Sequence, residues 1–473
     1  MKGFRAPPQT LTRRTLLRGV GTAAGLGVAA RFGMSSLHVS AADATTLTPP
    51  TAAIPAALFG MHVHRATTGT PWPVAPFKVW QLWDAGVMWP DLEPRRGVYQ
   101  WEKLDATVAL AQQHGIEPVL VLGLTPTWAS SRPEQVSDYG PGTSPAKPAN
   151  MQDWTNYITA VATRYQGRIR AYEIWNEPNC QYFSGSVMEI FQLTQAAHDT
   201  LKRIDPTIQV VSPSFMNDPD YLDIFLGYGG GKYIDVLGYH FYTAPGPPED
   251  MIPSVARVKR VMANRGLAAV PIWNTEIGWQ SDNFVNDDQR MGYVARTALI
   301  NWATGVDRFS WYAWDNHDWC KLWMTEQDDT TPAPGATAYT TIQQWLVGSR
   351  MASCAKNEGG TWTSTIIQPG NRIATIVWNS EQSVSFTAPA SWNLTSVQSL
   401  SGNIRRIDPG QRLMIGAAPV LLETPAVIPD TRGAAPSTGQ PAIPSIPPAR
   451  PQPGNGTILP PDPSPAERRG RPY

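Results

Sequence analysis

Residues 54–349 alternate short apolar runs with segments of helical period, and no other feature of the chain limits its fold as much. Eight such runs can be picked out, at residues 58–63, 79–83, 118–122, 169–174, 208–211, 236–239, 270–274 and 309–313. Between them the helical segments carry one apolar face. Ile190, Leu193, Ala197, Leu201 and Ile204 recur at spacings of three and four, which places one stripe against a sheet. Other helices are expected to stop at His114-Gly115 and Arg265-Gly266, where glycine takes the left-handed cap conformation at no steric cost. Eight βα units over this length predict an α/β protein built on a closed (β/α)8 TIM barrel spanning residues 54–349.

After residue 349 the texture changes. Alternating, β-branched stretches at 361–367, 372–378, 383–387, 396–400, 404–407, 412–415 and 419–423 are separated by turn formers such as Asp408-Pro409-Gly410. They predict a small antiparallel β-sandwich over residues 350–424.

Both ends read as something other than a folded domain. Thr12-Arg13-Arg14-Thr15-Leu16-Leu17-Arg18 followed by the apolar run 19–30 resembles a twin-arginine export signal. Small residues at Val39-Ser40-Ala41 offer a cleavage point, so residues 1–41 are expected to leave an exported, periplasmic, cell-envelope or extracellular protein. The apolar run is too short to cross roughly 30 Å of hydrocarbon, so no stable membrane span is expected once the signal is removed. Residues 425–473 contain 14 prolines and little aliphatic periodicity, the composition of a disordered tail.

The 38 basic and 38 acidic residues cancel, which argues against a nucleic-acid partner. With 42% hydrophobic residues and 19 tryptophans there is ample material for a core. Three cysteines, Cys180, Cys320 and Cys354, are too few for a disulfide scaffold. In an exported protein they could form one bridge, with the pairing open.

In barrels of this kind the reacting groups lie where strands end. Two glutamates occupy such places. The fourth run leads into Tyr172-Glu173-Ile174-Trp175-Asn176-Glu177-Pro178, and the seventh into Asn274-Thr275-Glu276-Ile277-Gly278-Trp279. Strands four and seven lie across the mouth from one another, so the two carboxylates can face one substrate. A facing pair suits glycoside hydrolysis, because each charge raises the other's proton affinity and the two can hold opposite ionisation states. The pair His62 and His64 alternates in strand fashion, so only one, His62 by preference, is expected to face the axis. With no third ligand nearby and no HExxH spacing they do not make a zinc site, and neither a metal nor a cofactor is expected.

These strings together resemble clan A glycoside hydrolases, and most closely family 39. Trp89-Pro90-Asp91-Leu92-Glu93-Pro94 with Trp101 is similar to the clan's segment after the second strand, and Trp175-Asn176-Glu177-Pro178 to its acid/base motif. Glu276 with Ile277-Gly278-Trp279 resembles the nucleophile strand, and Trp311-Tyr312-Ala313-Trp314 the eighth. The resemblance implies a retaining enzyme with Glu177 as acid/base and Glu276 as nucleophile. It implies further that Asn176 contacts the sugar 2-hydroxyl, and that His240 and Tyr242 lie beneath the nucleophile. Many clan members carry an arginine near the end of the second strand. Here the run is Trp80-Gln81-Leu82-Trp83-Asp84, leaving Gln81 or Asp84 to substitute.

Trp128, Trp279, Trp311 and Trp314 follow strand ends and are expected to offer flat faces for sugar stacking, Trp314 foremost. Trp345 and Trp378 are expected to serve packing. The reading is therefore an exported, monomeric retaining β-glycosidase acting on a polysaccharide or oligosaccharide. A catalytically idle carbohydrate-binding envelope protein and a transglycosylase using the same carboxylates are the alternatives.

Overall fold

All eight apolar runs are strands in the computed structural model, which describes residues 44–281 and 284–424. The export-signal and tail segments lie outside the described residues. The strands are β1 (Phe59–His62), β2 (Val79–Gln81), β3 (Glu117–Leu122), β4 (Ala171–Ile174), β5 (Gln209–Val211), β6 (Leu237–His240), β7 (Ile272–Ile277) and β8 (Arg308–Trp311). Each pairs in parallel with its neighbour in the series, and β8 returns to β1. The β5–β6 seam is closed by the parallel bridge Val211–Val236 and by Asp235 N–H to Val210 O at 2.8 Å. The result is a TIM barrel.

Side-chain alternation fills the barrel in layers. Val79, Val119, Ala171, Val211, Val236 and Trp273 form a dry plug. Two residues further along the same strands, Gln81, Glu173 and Thr275 form a polar layer above that plug, all three buried. Outside, the helices lie as the sequence predicts. Helix Val187–Ile204 is capped by Ser186 and Glu189 in a capping box and buries Ile190, Leu193, Ala197 and Leu201. Gly115 takes φ +64° after helix Glu102–His114, and Gly266 takes φ +76° after helix Met251–Asn264.

The C-terminal region is antiparallel β, as expected, but it recruits two strands that the pattern does not reveal. Its main sheet runs in the order Thr45–Leu47, Arg350–Lys356, Thr361–Gln368, Arg372–Asn379, Val420–Glu423, Ser396–Gln398, Ile404–Arg406, and the pair Val384–Thr387 with Arg412–Ile415 forms a small second layer. Arg350–Lys356 was concealed because a register shift between Met351 and Ser353 breaks its alternation. Thr45–Leu47 is only three residues long and precedes the barrel, so the sandwich draws on both sides of it. The bridge that the three cysteines could have formed is not made: Cys180, Cys320 and Cys354 are free, and the last two are buried thiols. Trp345 and Trp378 do serve packing, the latter stacked on Trp362 at 5.5 Å.

The sandwich is tied to the barrel by a hydrogen bond to a buried ion pair of the barrel. The fully buried Arg296 donates Nη1 to both oxygens of Glu249 at 3.0 and 2.9 Å, and Trp378 Nε1 of the sandwich donates to Glu249 Oε1 at 2.8 Å. Glu249→Ala would leave a buried guanidinium without its counter-charge, a change that costs about 3–5 kcal/mol. The urea midpoint is expected to fall accordingly, and an unchanged midpoint would show that the pair contributes nothing.

Candidate active site

Strands β4, β6 and β7 bring three sequence-predicted residues to one place. One polar atom from each of Glu177, His240 and Glu276 lies within 4.8 Å of the other two, and all three side chains are buried. Glu177 follows β4 on a backbone that most side chains avoid, with φ +69° at Trp175 and +43° at Glu177. Three bonds hold that segment: Trp175 N–H to Leu122 O at 2.8 Å, Trp175 Nε1 to Tyr182 O at 2.9 Å, and Glu177 N–H to Ser214 O at 3.0 Å. Asn176, 3% exposed, lies beside Ser214, whose hydroxyl reaches its Oδ1 at 3.4 Å.

Glu276 reaches the same space because β7 is irregular. Trp273 and Thr275 face the barrel interior, so strict alternation would send Glu276 outward with Asn274. Pairing to β8 instead shifts register between Asn274 and Ile277, a bulge-type distortion that re-aims the side chain. Tyr242 then donates its hydroxyl to Glu276 Oε1 at 2.6 Å, while His240 Nδ1 contacts Glu177 Oε1 at 2.9 Å. Each carboxylate thus has its own orienting partner, His240 at the end of β6 and Tyr242 two residues beyond it.

His62 is fully buried, with Nε2 at 2.9 Å from the Thr275 carbonyl. A carbonyl only accepts, so Nε2 carries the hydrogen; burial holds the ring's pKa well below the ordinary histidine value and keeps it neutral. The expectation that His64 points elsewhere is corrected. Residues two apart in an extended chain share a face, so alternation separates neighbours and not this pair, and both imidazoles lie 5.0 Å from the Tyr312 ring.

The tryptophans are redistributed. Trp279 and Trp311 are fully buried and stack on each other at 5.6 Å, and Trp314 is 2% exposed. Trp279 and Trp311 cover each other's faces and so present none to a sugar, because the end of β8 and the segment after β7 pack these rings together in the core. Trp128 spends its Nε1 on Glu93 O at 2.8 Å and lies under Arg96. The aromatic beside the carboxylates is the half-buried Trp319, edge-on to Tyr242 at 5.5 Å and to Tyr312 at 5.0 Å. Neither Trp319 nor Tyr312 was singled out from sequence, although Tyr312 occupies the eighth-strand motif.

The substitutes for the missing arginine take other work. Gln81 donates Nε2 to Glu173 at 2.6 Å. Asp84, held at φ +62°, accepts from the hydroxyls of Tyr139 and, at 2.6 Å, Tyr312. Burial, with the charges of Asp84 and Glu276 adding to it, keeps the Tyr312 phenol well above its ordinary pKa. Its only proton goes to Asp84, which leaves Tyr242 as the tyrosine that donates to Glu276.

Residues 80–313 match the family model described as glycosyl hydrolases family 39. Among solved structures the chain is similar to a family 39 glycoside hydrolase from Bacteroides cellulosilyticus, with a TM-score of 0.64 at 20% identity over 78% of this chain and 81% of that one. A glucosidase from Croceicoccus marinus gives 0.60 at 12% identity, covering 80% and 98%. A family 39 β-xylosidase from Caulobacter crescentus gives 0.59 at 16% identity, also covering 80% and 98%. Among the described residues no helix is long and apolar enough to cross a membrane.

Proposed function

We propose that this chain, which belongs to glycosyl hydrolases family 39, is a retaining β-glycosidase that cleaves O-glycosidic bonds in an oligosaccharide or polysaccharide. One observation carries the proposal: oxygens of Glu177 and Glu276 come within 4.8 Å of each other across the barrel mouth. Retaining hydrolysis needs carboxyl groups roughly 5–5.5 Å apart, whereas an inverting enzyme leaves about 6.5–9.5 Å for a water. In the first step Glu276 attacks the anomeric carbon while Glu177 gives its proton to the departing oxygen. In the second, Glu177 takes a proton from water, which displaces Glu276 and restores the sugar with its original configuration. Asn176 is assigned to the sugar 2-hydroxyl, a contact that can tighten in the transition state.

The family and the orienting contacts support turnover over idle binding, since both carboxylates are held by hydrogen bonds despite the missing arginine. The test is a panel of aryl β-xylosides, glucosides, galactosides, mannosides and arabinosides with product anomers followed by NMR. First-formed β-product from any of them supports the proposal; α-product, or no release from the panel and from polymeric glycans, would sink it.

Tyr242→Phe removes a donor from the ionised form of Glu276. A hydrogen bond to a charged group contributes about 1.5–3 kcal/mol, so kcat/KM is expected to fall about 10- to 100-fold. Losing that donor favours the protonated carboxyl, so the acidic limb of the pH profile moves to higher pH. A limb that stays in place would show that Tyr242 does not tune the nucleophile.

A further inference from the structure

One buried acid has no part in the chemistry above. Glu173 is fully buried in the polar layer beneath the mouth. Burial pushes its carboxyl up to about 7, opposed by hydrogen bonds from Ser214, Gln81 and Thr275, while the charge of Glu177 adds to the rise. Around it, Gln81 comes from β2, Ser214 from the segment after β5 and Thr275 from β7. The ionisable neighbours in this region are Glu177, His240 and the neutral His62, the last tied to Thr275 through its carbonyl.

A continuous chain of contacts leads from this acid to the mouth. Gln81 Nε2 donates to Glu173 Oε2 at 2.6 Å. Thr275 Oγ1 donates to Glu173 Oε1 at 3.3 Å, and lies 3.2 Å from His240 Nε2. His240 Nδ1 is 2.9 Å from Glu177 Oε1. With Glu173 ionised and His240 neutral, counting hydrogens fixes the direction. A carboxylate only accepts, so Thr275 spends its single proton on Glu173 and shows His240 a lone pair. Nε2 must then carry the imidazole hydrogen. In neutral imidazole Nδ1 is left as an acceptor, and its bond to Glu177 requires the proton to be on the Glu177 carboxyl.

We propose that Glu173 is a positioning residue that, through Thr275, selects the Nε2–H tautomer of His240 and so keeps Glu177 protonated for the first chemical step. This rests on the acid/base assignment of Glu177. Glu173 touches no substrate; it acts by setting the polarity of the hydrogen-bond chain.

The test combines the imidazole nitrogen signals of His240, read in 15N-histidine-labelled full-length protein about one pH unit above the Glu173 carboxyl, where that acid is ionised, with a leaving-group series. The wild type should show the Nε2–H tautomer. Thr275→Val, which deletes the hydroxyl at constant volume, and Glu173→Met, which deletes the acceptor, should each shift His240 toward Nδ1–H. Thr275→Val should lower kcat/KM about 30-fold on an alkyl β-glycoside but less than about 3-fold on a dinitrophenyl one, a partial loss of the roughly 10²- to 10⁴-fold that general acid catalysis supplies. Thr275→Ser should restore both readouts. A wild-type Nδ1–H tautomer, a tautomer unmoved in both variants, or equal losses on the two leaving groups would each overturn the proposal. Should the wild type cleave no glycoside, the glycosidase reading fails, while the tautomer shift still decides whether Glu173 governs His240.

Discussion

Glu276→Ala is expected to lower kcat/KM on an activated aryl β-glycoside by about 10⁴-fold or more, because removing a covalent nucleophile eliminates the intermediate itself. The variant should fold, since Glu276 lies at the mouth and not in the plug. Azide fits the space vacated by the carboxylate and should attack from the same side, giving an α-glycosyl azide from a β-substrate. Recovery of activity with that product identifies the nucleophile. Residual turnover within about tenfold of wild type would remove Glu276 from that role and, with it, the double-displacement mechanism.

Glu177→Gln should have an effect that depends on the substrate. General acid catalysis contributes about 10²- to 10⁴-fold where the leaving group needs a proton. For an alkyl β-glycoside the loss should lie near the top of that range. A dinitrophenolate departs unaided, so formation of the intermediate should be nearly unchanged on that substrate. The second step still needs a base, so the intermediate should accumulate, visible as a burst of dinitrophenolate and a lowered KM. Equal losses across the series would mean that Glu177 holds structure and donates no proton.

The fold was legible because each barrel strand announces itself as a short apolar run, and all eight runs became strands. Glu177 and Glu276 were legible through their motifs. Alternation alone would have turned Glu276 away from the axis, since it follows the inward-facing Thr275, and the register shift that corrects this leaves no mark in residue types. The tryptophans failed for a related reason. A residue at or just past a strand end can face the mouth or the core, and Trp311 at the end of β8 and Trp279 after β7 face the core and stack on each other. Glu173 was quoted within its motif but given no role, because a carboxylate inside an apolar strand is informative only once Gln81 and Thr275 are known to meet it. The same holds for Tyr312, whose proton is committed by Asp84, a residue far away in sequence.

The pairing of Leu47 with Cys354 has a consequence for how this polypeptide matures. Its two halves are about three hundred residues apart, so the first of them leaves the ribosome long before its partner exists. That strand must wait unpaired while the barrel assembles, and its brevity and two threonines give other sheet edges little to seize. Docking of the segment ahead of the barrel is therefore a late event, a latch that closes only when synthesis of the catalytic unit is finished.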